Sequence, residues 1–153
     1  MRASQPNELP DRQESGNQNI PGICGIAAGL QYVQERGVPA IYQHEMSCLQ
    51  YLYRHLVQLP FLEMYTPYPS LGQTVPVLSV NVKGKASEEV AEWLDQNGVA
   101  VRAGLHCAPW AHRRFGTLEQ GTIRLVPSVF STIEEAEKIA KVFSQITEKS
   151  LHR

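Results

Sequence analysis

No apolar run in this sequence is long enough to span a bilayer: the longest weakly polar stretch, Gly22 to Leu30, falls far short of the ~20 residues that a membrane helix needs. An excess of positive charge is missing too. Lys plus Arg number 14 against 15 Asp plus Glu, a formal net charge of -1, so the basic surface that captures nucleic acid is not expected. The N-terminal residues Met1-Arg2-Ala3-Ser4-Gln5-Pro6 lead into further polar sequence without the apolar core of a secretory signal, which makes a cytoplasmic location the expectation. Three cysteines, Cys24, Cys48 and Cys107, are too few and too widely spaced to form a disulfide framework or a CxxC pair.

What remains is enough to fold. Hydrophobic residues make up 42% of the 153 positions and charged residues 19%, which suits one compact domain and excludes wholesale disorder. Residues 1–19 hold few large apolar side chains and read as an extended arm or linker; residues 20–153 carry the domain.

Pro21 fits the first turn of a helix, and Ile23, Ile26, Ala27, Leu30 and Val33 recur at helical spacing, predicting a helix from about Pro21 to Arg36 that Gly37 ends. A second helix, with Ile41, Cys48, Leu49, Leu52, Leu56 and Leu59 on its apolar face, stops before Pro60 and completes a helical hairpin. An edge strand near Leu62 to Tyr65, a strand at Val75 to Val82, a helix capped by Ser87 and closed by Gly98, and short strands at Val99 to Arg102 and Thr122 to Val126 follow. Residues between the last two strands read as a loop. Thr132 with Glu135 forms a capping box that opens a final helix lined by Ala136, Ile139, Phe143 and Ile146. The expected class is α+β, with helices packed on a small mixed or antiparallel sheet.

Chemistry concentrates in Val99-Ala100-Val101-Arg102-Ala103-Gly104-Leu105-His106-Cys107-Ala108-Pro109. Gly104 permits a tight turn, Arg102 and His106 flank the thiol, and Pro109 stiffens the far side. Cys107 is therefore either an exposed thiolate nucleophile or, as free cysteines often are, a small buried hydrophobe. Arg124, among the apolar Ile123, Leu125 and Val126, either snorkels to solvent or presents a fixed fork to a carboxylate. Cys24 and Cys48 lie on apolar helical faces and read as packing residues. His44-Glu45-Met46-Ser47-Cys48 imitates the HExxH zinc helix but lacks its second histidine, so no metal is expected. His44 and Glu45 read instead as residues satisfied by hydrogen bonds at the helix start. The polar turn Glu14-Ser15-Gly16-Asn17-Gln18-Asn19 precedes a helix N-terminus, which favours an anion or simply caps the helix.

Together, Arg102-Ala103-Gly104-Leu105-His106-Cys107-Ala108-Pro109, Gly121-Thr122-Ile123-Arg124 and Phe130-Ser131-Thr132-Ile133-Glu134-Glu135 resemble the carboxy-terminal third of the cysteine desulfurases, enzymes of the class V aminotransferase fold that use pyridoxal phosphate. Upstream, Leu9-Pro10-Asp11-Arg12, Glu14, Gly16, Asn19, Pro21-Gly22-Ile23 and Gly29-Leu30 resemble the segment that enters that family's small domain.

The resemblance implies a role for each matching residue. Cys107 corresponds to the cysteine that takes sulfur from the pyridoxal-bound substrate as a persulfide, leaving alanine. Arg124 corresponds to the arginine that grips the substrate carboxylate, with Arg102 at the mouth of the same site and His106 beside it. Gly16 and Asn17 fall where the family has a Gly-Thr pair reaching the cofactor phosphate of a neighbouring subunit, with Asn17 replacing the threonine. L-cysteine is the implied substrate, with a sulfur-acceptor protein and a homo-oligomer as implied partners.

The lysines Lys83, Lys85, Lys138, Lys141 and Lys149 none follow a histidine, unlike the family's Schiff-base lysine, which sits in a large domain before the matching segment. The expectation is a truncated form or fragment that binds no pyridoxal phosphate alone. A stand-alone persulfide carrier and a non-catalytic dimerisation domain are the alternatives. A domain built to pack on a larger one is also expected to leave apolar area uncovered.

Overall fold

A computed structural model describes residues 7–10, 12–13 and 16–146. The chain divides into two compact units at Val38–Pro39. Asp11, Glu14, Ser15 and Lys149 lie outside the described residues.

In the first unit, α1 runs over Ile20–Arg36. Its start is fixed by Asn19, whose side-chain oxygen accepts from the Gly22 amide at 3.1 Å, and by Pro21 in the first turn. It ends at Gly37, whose φ of 80° few other residues would adopt and whose N–H donates to the Val33 carbonyl at 2.8 Å. No α1 residue is buried: Ile20, Ile23, Ile26 and Leu30 stand exposed, as does Cys24. The packing role expected of Cys24 is therefore not met, because the apolar stripe that carries it is itself uncovered.

In the second unit the chain order is α2 (Val38–Leu56), β1 (Leu62–Met64), β2 (Leu78–Val82), α3 (Ser87–Gln96), α4 (Pro109–Phe115), β3 (Ile123–Leu125) and α5 (Ile133–Ser144). The fold is α+β, with helices on a small sheet that is antiparallel throughout. β2 is central, pairing Leu62 with Val82 on one side and Leu78 with Leu125 on the other. Helical spacing buries Met46, Leu49, Leu52 and Leu56 of α2, Val90 and Leu94 of α3, and Ala136, Ala140 and Phe143 of α5. They close over Leu78, Val80 and Ile123 from the sheet.

The capping box that opens α5 is present, with the Glu135 amide donating to Thr132 Oγ1 at 3.1 Å and the Thr132 amide to Glu135 Oε2 at 2.9 Å.

Three local expectations are corrected. Ser87 is not the cap of α3; Ala86 holds that place, and the buried Ser87 hydroxyl is engaged by a distant loop. Val99 to Arg102 does not form a strand: only Arg102 pairs, in a single bridge to Arg124, because Gly104, at φ 98°, turns the chain away immediately after. The stretch expected to be a loop contains α4, with Pro109 in its first turn, Arg113 and Arg114 in its last and left-handed Gly116 at its end.

Candidate functional site

The loop between Arg102 and α4 is clamped at Gly104. Gly104 donates its N–H to Ser87 Oγ at 3.1 Å and its carbonyl accepts from the Thr122 amide at 3.1 Å. Gly121 lies against it so closely that a Cβ there would sit 2.5 Å from Ser87 Oγ and 2.8 Å from Gly104 Cα. Just beyond this clamp, His106 and Cys107 both adopt left-handed backbone, with φ of 50° and 57°, a conformation that side-chain-bearing residues hold only when their surroundings enforce it. Cys107 is exposed at this turn, so the buried-hydrophobe alternative does not hold.

His106 turns inward. Its Nε2 lies 2.9 Å from the Thr122 carbonyl; because a carbonyl only accepts, Nε2 carries the hydrogen and a neutral ring has its lone pair at Nδ1. Burial pushes the imidazole pKa below its ordinary value against the pull of that carbonyl, and the charges of Arg124 and Arg102 press in the same direction as burial. Nδ1 is buried and meets no hydrogen-bond partner among the described residues.

Arg124 occupies β3 opposite Ser79. Its Nε is also buried without a hydrogen-bond partner among the described residues. Arg124 and His106 line one cleft of about 390 Å³ with Tyr65, Thr66, Ser79 and Thr122, walled on its apolar side by Ala108, Ala111 and Phe115. Arg124 is half-buried and lines this cleft. Cys107 is outside the lining, although both its chain neighbours are in it, and exposed Arg102 is outside it as well. Gly16 and Asn17 are exposed residues of the first unit.

Two residues of the cleft were not singled out from sequence. His112 is buried, its Nδ1 2.8 Å from Thr117 Oγ1 and its ring 6.0 Å from that of His106. Tyr65 donates its hydroxyl proton to Glu63 Oε2 at 2.8 Å, and burial, then that carboxylate, pushes its pKa up. A histidine one turn into a Pro-started helix was a sequence signal for the first; nothing in the sequence distinguished the second.

The remaining thiol and zinc-like segment are structural. Cys48 is buried, its sulfur 3.8 Å from the Ser131 carbonyl, and burial followed by the charges of Glu135 and Glu134 pushes the thiol pKa up. His44 donates from Nε2 to the same carbonyl at 2.7 Å. Its partner thus comes from the segment before α5 rather than from the helix start. A larger cavity, about 480 Å³, lies beside Cys48 and the start of α5, away from the loop of Cys107.

A model of the aminotransferase class-V family matches residues 1–139. The chain belongs to the class-V aminotransferase family. Among its curated relatives, a probable cysteine desulfurase of Synechocystis is 33% identical over 130 residues, 85% of this chain and 30% of that protein. A cysteine desulfurase of Synechococcus elongatus is 36% identical over 142 residues, 93% of this chain and 22% of that protein. The apo cysteine desulfurase of Thermococcus onnurineus superposes with a TM-score of 0.78 at 32% identity, covering 89% of this chain and 33% of that one. The chain thus spans a third or less of the length of these relatives.

This family uses pyridoxal phosphate, which is held as a Schiff base on a lysine. The cleft residues do not fit that requirement. Lys83 donates to the Pro60 carbonyl at 2.6 Å, Lys85 pairs with Glu89 at 3.0 Å, Lys141 pairs with Glu137 at 2.8 Å, and Lys138 lines the cavity beside Cys48. None of these four lines the cleft of Arg124.

Proposed function

We propose that residues 20–153 act as the small domain of a pyridoxal-phosphate-dependent cysteine desulfurase, with residues 1–19 as its linker. In this reading Arg124 binds the carboxylate of L-cysteine and Cys107 accepts the sulfur. The overall exchange is balanced: cysteine and the Cys107 thiol give alanine and a Cys107 persulfide. The observation that carries the reading is a half-buried Arg124 lining a cleft whose wall includes both chain neighbours of an exposed Cys107. A guanidinium in such a cleft binds a carboxylate through charge-assisted hydrogen bonds, and an exposed thiol on a fixed turn is placed to deliver sulfur to an acceptor protein.

The carbon–sulfur bond of cysteine breaks only with an electron sink, and the described lysines do not supply an anchor for one. This chain therefore contributes carboxylate binding and sulfur acceptance and, alone, releases no alanine. Gly16 and Asn17 are assigned to a cofactor phosphate on the strength of the family pattern, with the Asn17 amide as donor. Exposed Ile23, Ile26 and Leu30 of α1 suit a domain that packs on a larger partner or a second subunit.

The test joins this chain to the large domain of the Synechocystis relative and measures alanine formed from cysteine. Release that disappears with Cys107→Ser and with Arg124→Gln supports the assignment. Undiminished release from the Cys107→Ser chimaera overturns it.

A further inference from the structure

The outward face of α4 combines an aromatic ring with uncompensated positive charge. Trp110, Arg113 and Arg114 stand at positions i, i+3 and i+4 and so share one side of the helix, while His112 is buried away from it. Trp110 is 76% exposed, more than any other large apolar side chain among the described residues, and the Arg113 guanidinium lies 4.8 Å over its ring. Neither Arg113 nor Arg114 forms an ion pair with a carboxylate among the described residues. From Val99 to Leu118 the chain carries Arg102, Arg113 and Arg114 and no Asp or Glu, in a protein whose formal net charge is -1. Glu88 approaches this segment at Gly104, and Glu119 follows beyond the left-handed Gly116. The helix spans about 10 Å and starts just after the exposed Cys107, so its charges lie well within the ~30 Å over which they act on that thiol at low salt.

We propose that the face of α4 formed by Trp110, Arg113 and Arg114 docks an acidic surface of a partner protein beside Cys107. The chemistry that fits is a cluster of Asp or Glu side chains around an apolar spot. Guanidinium forks take carboxylates bidentately, and tryptophan and arginine are the residues that most often carry the energy of protein interfaces. Nucleic acid fits less well, because capture of a phosphate backbone draws on more cations than the arginines of this segment supply. That the partner is a sulfur acceptor rests on the role proposed above for Cys107; the docking itself does not. The exchange balances: the Cys107 persulfide and a thiol of the partner give the Cys107 thiol and a persulfide on the partner.

The experiment offers the whole 153-residue chain two synthetic peptides of equal length, one Glu-rich and one Lys-rich, each carrying an activated disulfide, and maps the mixed disulfides by peptide mass. Cys24 is the internal reference, an exposed thiol on a stretch, Ile20 to Leu30, that has no charged residue. Rates are normalised to those with neutral iodoacetamide, which removes differences in intrinsic thiol reactivity. At low ionic strength Cys107 is expected to take the acidic peptide about tenfold faster than the basic one, with no such preference at Cys24 and with the gap closing in high salt. The double variant Arg113→Gln, Arg114→Gln is expected to lose most of the preference. The acidic peptide without its disulfide should alter tryptophan emission in the native chain and not in Trp110→Phe. Equal rates at Cys107, or a preference that survives the double variant, overturns the inference, and a persulfide found on Cys107 in the chimaera described above then still leaves its sulfur role standing. A preference for the acidic peptide with no persulfide in the chimaera overturns the partner's identity as acceptor. Tighter binding of poly-uridylate than of the acidic peptide overturns the assignment to a protein.

Discussion

Arg102 and Arg124 are direct antiparallel partners: the Arg124 amide donates to the Arg102 carbonyl at 2.7 Å and the Arg102 amide to the Arg124 carbonyl at 3.3 Å. Residues paired in this way project their side chains from the same face of a sheet. The bridge therefore holds two guanidinium groups on one side, next to a loop whose histidine pKa is lowered by burial and, to a lesser degree, by their charge. Like charges directly opposite each other oppose folding.

Removing one of these cations should stabilise the ligand-free protein. Arg102→Gln is expected to raise the urea midpoint at low ionic strength by an amount equivalent to a few tenths of a kcal/mol, about the scale of a cross-strand pair. Arg102 is exposed, so salt should screen most of the gain. Chemical unfolding at low and high salt measures both effects; an equal gain at both would remove repulsion as its cause.

The clamp on the Cys107 loop predicts unequal costs at two glycines of similar backbone. Gly121 and Gly72 have φ of 63° and 75°, but a Cβ at Gly121 meets Gly104 backbone at 2.8 Å while one at Gly72 meets nothing within 4 Å. Gly72→Ala should cost about 1 kcal/mol, the left-handed penalty alone. Gly121→Ala should cost clearly more, on the order of 3 kcal/mol, as strain and displacement add. Comparable unfolding midpoints for the two variants would show that the approach of Gly121 to Gly104 is not rigid.

Thiol reactivity should follow exposure and charge. Cys107 and Cys24 are exposed, whereas Cys48 is buried with its pKa raised by burial and by Glu135, Glu134 and Glu45. Brief alkylation of the folded protein near neutral pH, mapped by peptide mass, should modify Cys107 and Cys24 and leave Cys48 free until denaturant is added. Early modification of Cys48 would contradict the packing of α2 against the segment before α5.

His106 gives the fold an acid-sensitive component. Its folded-state pKa lies below the unfolded value of about 6.5, so the unfolded chain binds the proton more readily. The stability it contributes is complete above that unfolded value and is lost as pH falls through the folded one. His106→Asn should therefore flatten the decline in unfolding free energy between about pH 7.5 and pH 5. An unaltered slope would mean that the ring is not desolvated.

Much of this architecture was legible in the sequence because local rules and packing agreed. Pro21 starts α1, Gly37 ends it, Thr132 and Glu135 box the start of α5, and the apolar spacing of Cys48, Leu49, Leu52 and Leu56 sets the buried face of α2. The failures came where distant partners decided. Ser87 has the composition of a cap, but its hydroxyl is taken by Gly104, seventeen residues away. Val99 to Arg102 has strand composition, but β3 offers it only one pairing. Pro109, the basic last turn and Gly116 did mark α4, but seven residues made a helix hard to distinguish from a loop. At the candidate site, Cys107, His106 and Arg124 stand out by residue type and order, whereas the inward turn of His106 depends on the Thr122 hydrogen bond and on burial.

The most direct measurement follows sulfur rather than alanine. The chain joined to a desulfurase large domain is given one turnover of cysteine without an acceptor, trapped with an alkylating agent, digested and weighed. One additional sulfur atom on the peptide of Cys107, and none on those of Cys24 or Cys48, is the result expected. Alanine formed in equal amount while Cys107 carries no extra sulfur would contradict its role as the acceptor.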